Sequence, residues 1–458
     1  MTKKQSLLSF DSNGKPVHSS EYKLRRILNW LPLGLTYAFL YMARYNLTVS
    51  KNALGNLMTK EDFGIIFAAG TITYAFSFLI NGPLTDKFGG KMSILLGAGG
   101  AAIMNILMGV FLLGILKLGW ALNLTLVFSI AYSLNMYFQS FGAVAIVKVN
   151  ASWFHVKERG VFGGIFGILI SLGLYFAFDW SQYVVNFAEG LNPKNPMYWL
   201  VFWIPAIILI IWFIIDIFIL KDKPGQAGYE DFDTGDASSG YMDEKFNLWD
   251  IIKKIFTNKV IIFVGLIEFC TGVLRNGVMH WFPIYAKEQI TAFASTAASW
   301  NFWLNNWGLI LMLAGASGGM LAGWMSDKFF GSKRAPVAGI LYTSILLATI
   351  AMYFFVGTSA IGLGISVVII SVAVIGTHGM LSGTATMDFG GRKAAGTAVG
   401  LIDGLVYLGT GVQSLSLGFI TTKNWNYWPV FLIPFAILGI LFTIKIWNAF
   451  PKGKSAGH

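Results

Sequence analysis

Long apolar runs alternate with short polar connections from one end of the chain to the other. They fall at 29–50, 63–83, 92–116, 122–147, 160–179 and 198–220, and again at 260–285, 300–325, 336–355, 360–386, 394–420 and 429–449. A run of roughly 20 residues, wound as a helix, crosses a hydrocarbon core of about 30 Å. Backbone in lipid is satisfied only by helices or closed barrels, so the pattern predicts an all-α membrane protein with twelve transmembrane helices. One long polar stretch, rich in Gly, Asp, Lys and Ser, separates the sixth run from the seventh. The predicted organisation is a tail at 1–26, a six-helix bundle at 27–220 and a linker at 221–256 with a short interfacial helix at 248–255. A second six-helix bundle follows at 257–450, and a tail at 451–458.

Composition narrows the class. Of 458 residues, 55% are hydrophobic and only 12% are charged, against about 25% charged in a soluble domain. That leaves too little charge to solvate a globular surface of this size. The net charge of +11 does not mark a nucleic-acid binder, because the cations follow the loops. With the N-terminus placed inside, 23 of the 33 Lys and Arg fall in inner connections and tails and six in outer ones. This is the positive-inside pattern, with both termini cytoplasmic. The first 26 residues are polar and basic, so the first helix is expected to be its own insertion signal. A lone Cys270 excludes a disulfide framework. No Gly-x-x-x-x-Gly-Lys-Ser/Thr loop is present, and the five histidines show no metal-ligand spacing. Neither an enzyme, a cofactor nor a resident metal is expected.

The chain repeats itself. After the second run it reads Gly82-Pro-Leu-Thr-Asp86-Lys87-Phe-Gly-Gly-Lys91, and after the eighth Gly323-Trp-Met-Ser-Asp327-Lys328-Phe-Phe-Gly-Ser-Lys333-Arg334. The fifth run opens with Lys157-Glu158-Arg159-Gly160 and the eleventh with Arg392-Lys393-Ala-Ala-Gly396. Two copies at equivalent places indicate one duplicated unit, hence two pseudo-symmetric bundles. These motifs resemble the major facilitator superfamily. The resemblance implies that fold, and a cytoplasmic latch at Asp86, Lys87, Arg159, Asp327 and Lys328. The competing reading makes them solvated loop charges that serve topology alone.

Ionisable groups within apolar runs cost at least about 2.5–3.5 kcal/mol each at a helix centre, so they ask for a function. Arg44 and Arg275 lie about 16 residues into the first and seventh runs, at equivalent points of the two halves. Two guanidinium groups facing across a pseudo-two-fold axis would select an oxygen-rich dianion such as phosphate. Snorkelling of Arg44 to the outer surface is the plainer alternative, made less attractive by the duplicate. Tyr37, Tyr41, Arg44 and Thr48 share one face of a helix.

The segments Tyr41-Met-Ala-Arg44-Tyr-Asn46 and Leu274-Arg275-Asn-Gly277-Val-Met-His-Trp281-Phe-Pro283-Ile-Tyr285 are similar to the organophosphate:inorganic-phosphate antiporters. That group includes bacterial glycerol-3-phosphate and hexose-6-phosphate transporters. The likeness continues through Lys393-Ala-Ala-Gly-Thr397 and Tyr407-Leu-Gly409. It implies phosphate binding by Arg44 and Arg275, cavity tyrosines at Tyr37, Tyr41, Tyr74 and Tyr407, and a place in the bacterial inner membrane as a monomer. The chain departs from the group at four positions. Tyr45 stands where relatives often carry Lys; Phe78 and Ile170 replace a Lys and a His; His280 replaces an acid. His280 and His378 are candidates to restore polarity in the cavity.

Glu268, seven residues before Arg275, and Asp403 are candidate ion-pair partners of Arg275 or proton carriers; Asp216 reads as structural. The expected function is exchange of a phosphate ester for inorganic phosphate. The rivals are proton-coupled symport of a carboxylate or sugar acid, and a transporter-like sensor.

Overall fold

The computed structural model describes residues 4–12, 15–155, 158–234, 257, 259–331, 333–385 and 395–448; the side chains of 159–166, 294, 383–399 and 401 are outside that set. The interfacial helix expected at 248–255 and the tail at 451–458 fall outside it. The N-terminal half holds α1 (Ser20–Leu54), α2 (Lys60–Phe88), α3 (Gly90–Lys117), α4 (Leu124–Trp153), α5 (Arg159–Tyr175), α6 (Ser181–Leu191) and α7 (Leu200–Ile219). The C-terminal half holds α8 (Lys259–Met279), α9 (Trp281–Ala292), α10 (Ala297–Asn305), α11 (Trp307–Phe329), α12 (Arg334–Phe355), α13 (Ala360–His378), α14 (Ala395–Lys423) and α15 (Tyr427–Lys445). A π-helical turn, Phe176–Trp180, joins α5 to α6 into one span, and α8 runs into α9 through His280.

Ten of these spans are long and apolar enough to cross a membrane. The two further long helices are α1, of 35 residues, and α14, of 29. Their polar content has a packing reason. Every residue of α1 from 36 to 50 is buried, so protein rather than lipid surrounds that stretch. Helix α14 likewise buries Thr410, Gln413 and Ser414 against α2 and α8. The chain is thus a multi-pass integral membrane protein.

Small residues set how closely the halves approach. A Cβ on Gly64 of α2 would come within 2.7 Å of the Ser414 carbonyl oxygen on α14, and one on Gly418 within 3.0 Å of the Lys60 carbonyl oxygen. Gly89, at φ +87°, ends α2 in a conformation that favours glycine, and its N–H returns to the Thr85 carbonyl. This permits the tight turn into α3 inside the Gly82–Lys91 motif.

The basic N-terminal segment has more structure than a tail. Strand β1 (Leu7–Phe10) pairs antiparallel with β2 (Pro16–His18), and α1 begins at Ser20, capped by the Ser19 side chain. Lys4 adds main-chain bonds to Gly228 and Glu230 in the start of the linker, each 2.9 Å. Trp153 donates to the Lys221 carbonyl at 2.9 Å, while Tyr22 packs on Trp153, Tyr229 and Phe232. Glu158 gathers this cap: it accepts from Arg26 at 3.0 and 3.1 Å and lies 3.3 Å from His18 Nε2. Burial alone would raise the Glu158 carboxyl, but the His18 hydrogen bond and the Arg26 charge together hold it below the usual glutamate range.

A carboxyl depressed in the folded state stabilises fully above its unfolded value, and that contribution is lost as pH falls through the folded value. The cap should therefore loosen on acidification. Glu158→Gln is expected to cost about 1.5–3 kcal/mol of local stability. Amide exchange in residues 4–12 and 15–18 should then quicken roughly tenfold to hundredfold at neutral pH, with less further change on acidification than in the parent.

Candidate functional site

Arg44 is fully buried in the part of α1 that protein surrounds on all sides. Its Nε donates to Gln139 Oε1 at 2.8 Å, and its two terminal nitrogens donate to the Tyr407 and Tyr74 hydroxyls at 3.0 and 3.2 Å. The guanidinium also lies over the rings of Tyr74 and Tyr41, 4.6 and 4.9 Å from their centroids. These partners are amide oxygen, phenol and π-face, so the positive charge is solvated but not neutralised.

A second layer holds the first. Gln139 donates to Asn135 at 3.1 Å. Asn135 and Asn105 donate to the Ala43 carbonyl at 3.1 and 3.0 Å, and Tyr132 donates to the Arg44 carbonyl at 3.1 Å. Sequence reasoning missed Gln139 and its supports. Their signal was present: Asn135 and Gln139 are polar residues four apart in an otherwise apolar run, hence on one helical face.

Arg275 of α8 lies within electrostatic reach of Tyr45, Tyr41 and Tyr407. Arg44 also feels Tyr45 and Tyr407, so the two arginines flank the same pair of phenols. Arg275 is only partly buried, and its Nε has no hydrogen-bond partner among the described residues. Tyr37 meets the Tyr41 ring edge-on at 5.4 Å, and Tyr74 meets the Tyr407 ring at 4.3 Å. The four expected cavity tyrosines therefore gather around the arginine pair.

The remaining candidates separate into two groups. Glu268 pairs with His378 rather than with Arg275, at 2.8 Å, because His378 from α13 approaches more closely than a residue two turns along the same helix. Asp403 accepts from Ser382. His280 borders the arginines through Tyr45: fully enclosed at the α8–α9 break, its Nδ1 is 2.7 Å from Thr48 Oγ1, and rings of Phe67 and Tyr45 lie at 4.4 and 4.7 Å. It belongs to the contact between the halves.

That contact continues away from the termini. Asn52 donates to the Pro283 carbonyl at 3.1 Å, and Lys60 reaches Glu288 at 3.2 Å and the Thr421 carbonyl at 3.0 Å. Asp179 accepts from the backbone N–H groups of Gly308 and Leu309 at 2.6 and 2.9 Å, capping α11 with a carboxylate from the other half. On the side that carries the termini, the motif charges pair within their own halves. Asp86 meets Lys148 at 2.6 Å, and Asp327 meets Arg334 at 3.8 Å. Lys87 and Lys328 lie near the Phe88 and Trp324 rings; the Arg159 side chain is outside the described set. Asp216 accepts from Thr36 at 2.7 Å in the core of the N-terminal half.

Residues 33–414 match the family model described as Major Facilitator Superfamily. The sequence is 26% identical to the glycerol-3-phosphate transporter of Bacillus subtilis (strain 168), over 95% of each chain. It is 24% identical to the probable hexose phosphate transport protein of Chlamydia muridarum (strain MoPn / Nigg), over 94% of this chain and 92% of that one. It is 25% identical to the membrane sensor protein UhpC of Escherichia coli (strain K12), over 93% of each. Among solved structures, a bacterial homolog to human lysosomal transporter Spinster, in an inward-facing and unoccupied conformation, matches with a TM-score of 0.70. At 16% identity over 93% of this chain and 97% of that one, it supports the fold alone.

The α2–α14 approach offers a test of the closed side. Gly64→Val places methyl groups against backbone, an overpacking worth about 1–3 kcal/mol, and should shift the halves apart there. In a Cys270→Ser background, a cysteine at Asn52 should react with an impermeant maleimide roughly fivefold to a hundredfold faster when Gly64→Val is present.

Proposed function

The chain belongs to the Major Facilitator Superfamily, and from that premise we propose that it exchanges an organic phosphate ester for inorganic phosphate by alternating access. The observation that carries this reading is Arg44, fully buried, hydrogen-bonded through three nitrogens to neutral groups and sharing two phenols with Arg275. Such a pair attracts an anion with enough oxygens and charge to engage both forks. Similarity to a glycerol-3-phosphate transporter and a probable hexose phosphate transport protein supports a phosphate ester as that anion.

The geometry also supports the coupling. Arg44 belongs to one half, and its partner Tyr407 to the other, so an anion drawn between the arginines pulls on both halves. Without it, approach of the halves brings two like charges together in a medium of low dielectric. The loaded site can reorient and the empty one is held back, which makes flux an exchange. With the orientation taken from the loop charges, the closed contact from Thr48–His280 to Asp179–Gly308 faces outward. Both termini and the cap around Glu158 then face the cytoplasm of a bacterial inner membrane. The protein is read as a monomer in the bilayer.

A sensor that binds the ester without moving it is the second reading, favoured by the similarity to the membrane sensor protein. Proton-coupled symport of a carboxylate or sugar acid keeps a place through Glu268, His378 and Asp403.

Purified protein in liposomes loaded with phosphate should take up labelled phosphate, and Arg44→Lys or Arg275→Lys should reduce the rate at least about tenfold by removing the bidentate fork. Ester binding with no exchange would point to the sensor. Uptake that follows an imposed proton gradient and ignores internal phosphate would point to the symporter.

A further inference from the structure

A pair of arginines can hold phosphate, but it does not by itself distinguish inorganic phosphate from an ester. Something else must read the organic portion. Three titratable side chains meet beside the clamp in the C-terminal half: Glu268 on α8, His378 at the end of α13 and Asp403 on α14. Residue 403 precedes Tyr407 by one helical turn on the side that carries the termini, about 6 Å at 1.5 Å per residue. That offset matches the reach from an ester phosphate to hydroxyls one or two carbons away.

The three groups are not equivalent. The Glu268 side chain is fully buried, whereas that of His378 is 24% exposed. Glu268 Oε2 lies 2.8 Å from His378 Nδ1; with Glu268 as carboxylate the Nδ1–H donates to it, and Nε2 is directed away from it. Asp403 uses one oxygen to accept from Ser382 and has His378 and Arg275 as its charged neighbours. Ser382 lies on the π-helical stretch Gly379–Ala385 that follows α13 directly, a distortion frequent at functional sites. A fully buried carboxylate behind a partly exposed imidazole is an orienting arrangement: it fixes the ring and leaves the second nitrogen to a ligand.

We propose that His378 and Asp403 read the organic portion of the substrate through its hydroxyl groups, and that Glu268 is the positioning residue that fixes the His378 ring. The inference rests on the phosphate-ester reading above and deepens it. With Nδ1–H donating to Glu268, the second nitrogen of an uncharged imidazole accepts, as does the Asp403 oxygen that has no partner among the described residues, so the subsite takes uncharged hydroxyl donors, as on a polyol or sugar. It disfavours an ester with its own carboxylate, which would face Asp403.

The test uses phosphate-loaded proteoliposomes and competition against labelled phosphate by sn-glycerol 3-phosphate, n-propyl phosphate and 3-phosphoglycerate. The parent should prefer glycerol 3-phosphate over propyl phosphate by about tenfold or more, the worth of a hydrogen bond or two. In Asp403→Asn, competition by 3-phosphoglycerate should strengthen relative to glycerol 3-phosphate. In His378→Phe and Glu268→Gln, the glycerol-to-propyl ratio should fall towards one, with Glu268→Asp recovering part of it. Because ratios are read, a variant that is merely less abundant or less stable leaves them unmoved. Ser382→Ala, which removes the hydrogen bond that orients Asp403 but keeps its charge, should lower the glycerol-to-propyl ratio without strengthening 3-phosphoglycerate, and serves should a charged-residue variant fail to fold. A parent ratio near one, or ratios unchanged across all variants, overturns the proposal while leaving phosphate exchange standing. Absence of phosphate exchange in folded parent protein overturns the antiport reading, and this one with it.

Discussion

A guanidinium charge placed where neither water nor a carboxylate can neutralise it constrains the rest of this molecule. Arg44 cannot shed its proton to escape burial, so its surroundings must solvate it. They do so with Gln139, Tyr407, Tyr74 and the Tyr41 ring, and those groups come from four different helices. Helices α1, α2, α4 and α14 are thereby tied to one point. The tie explains why α1 is buried on every side near its middle, and why it is less apolar than spans that meet lipid. Neutral solvation has a further consequence. A carboxylate partner would cancel the charge and remove any affinity for an anion, whereas phenols and an amide keep the charge available.

The two halves solve the same problem differently. In the N-terminal half, an amide and hydroxyl network through Gln139, Asn135, Asn105 and Tyr132 holds Arg44 rigidly from behind. In the C-terminal half, Arg275 is partly exposed and its Nε has no partner among the described residues, and its acidic neighbours are engaged with His378 and Ser382. One arginine is thus fixed and the other is adaptable. That division would suit the proposed exchange, in which a phosphate group is common to both substrates and the organic portions differ.

Much of this was legible from the residues. The twelve runs, the duplication around Asp86 and Asp327 and the matched arginines follow from periodicity, repeat spacing and the cost of charge in lipid, which are local properties of a sequence. The N-terminal cap was not legible, because its strands pair across a short turn and dock on the linker through contacts far apart in the chain, such as Lys4 with Gly228. The partner of Glu268 escaped for the same reason. Helical spacing pointed along α8 to Arg275, but His378 arrives from another helix, and a wheel drawn for one helix is blind to that. His280 shows the limit of reading a role from residue type. A histidine five residues past Arg275 reads as a candidate cavity group, and the α8–α9 break also places it in the contact between halves, against Thr48.

The position of His280 bears on how exchange could be enforced. In this closed contact the polar links nearest the arginines are neutral: Thr48 with His280, and the Asn52 amide with the Pro283 carbonyl. Full charges appear only farther out, where Lys60 meets Glu288. Neutral hydrogen bonds are worth roughly half as much as charge-assisted ones, so this inner layer resists opening weakly. The proposed anion would then supply the difference, because its bonds to Arg44 and Arg275 form only when both halves are in place. A strongly ion-paired inner layer would close without substrate and let the empty carrier return. A weak one leaves the decision to the ligand, which is the condition that obligatory exchange requires.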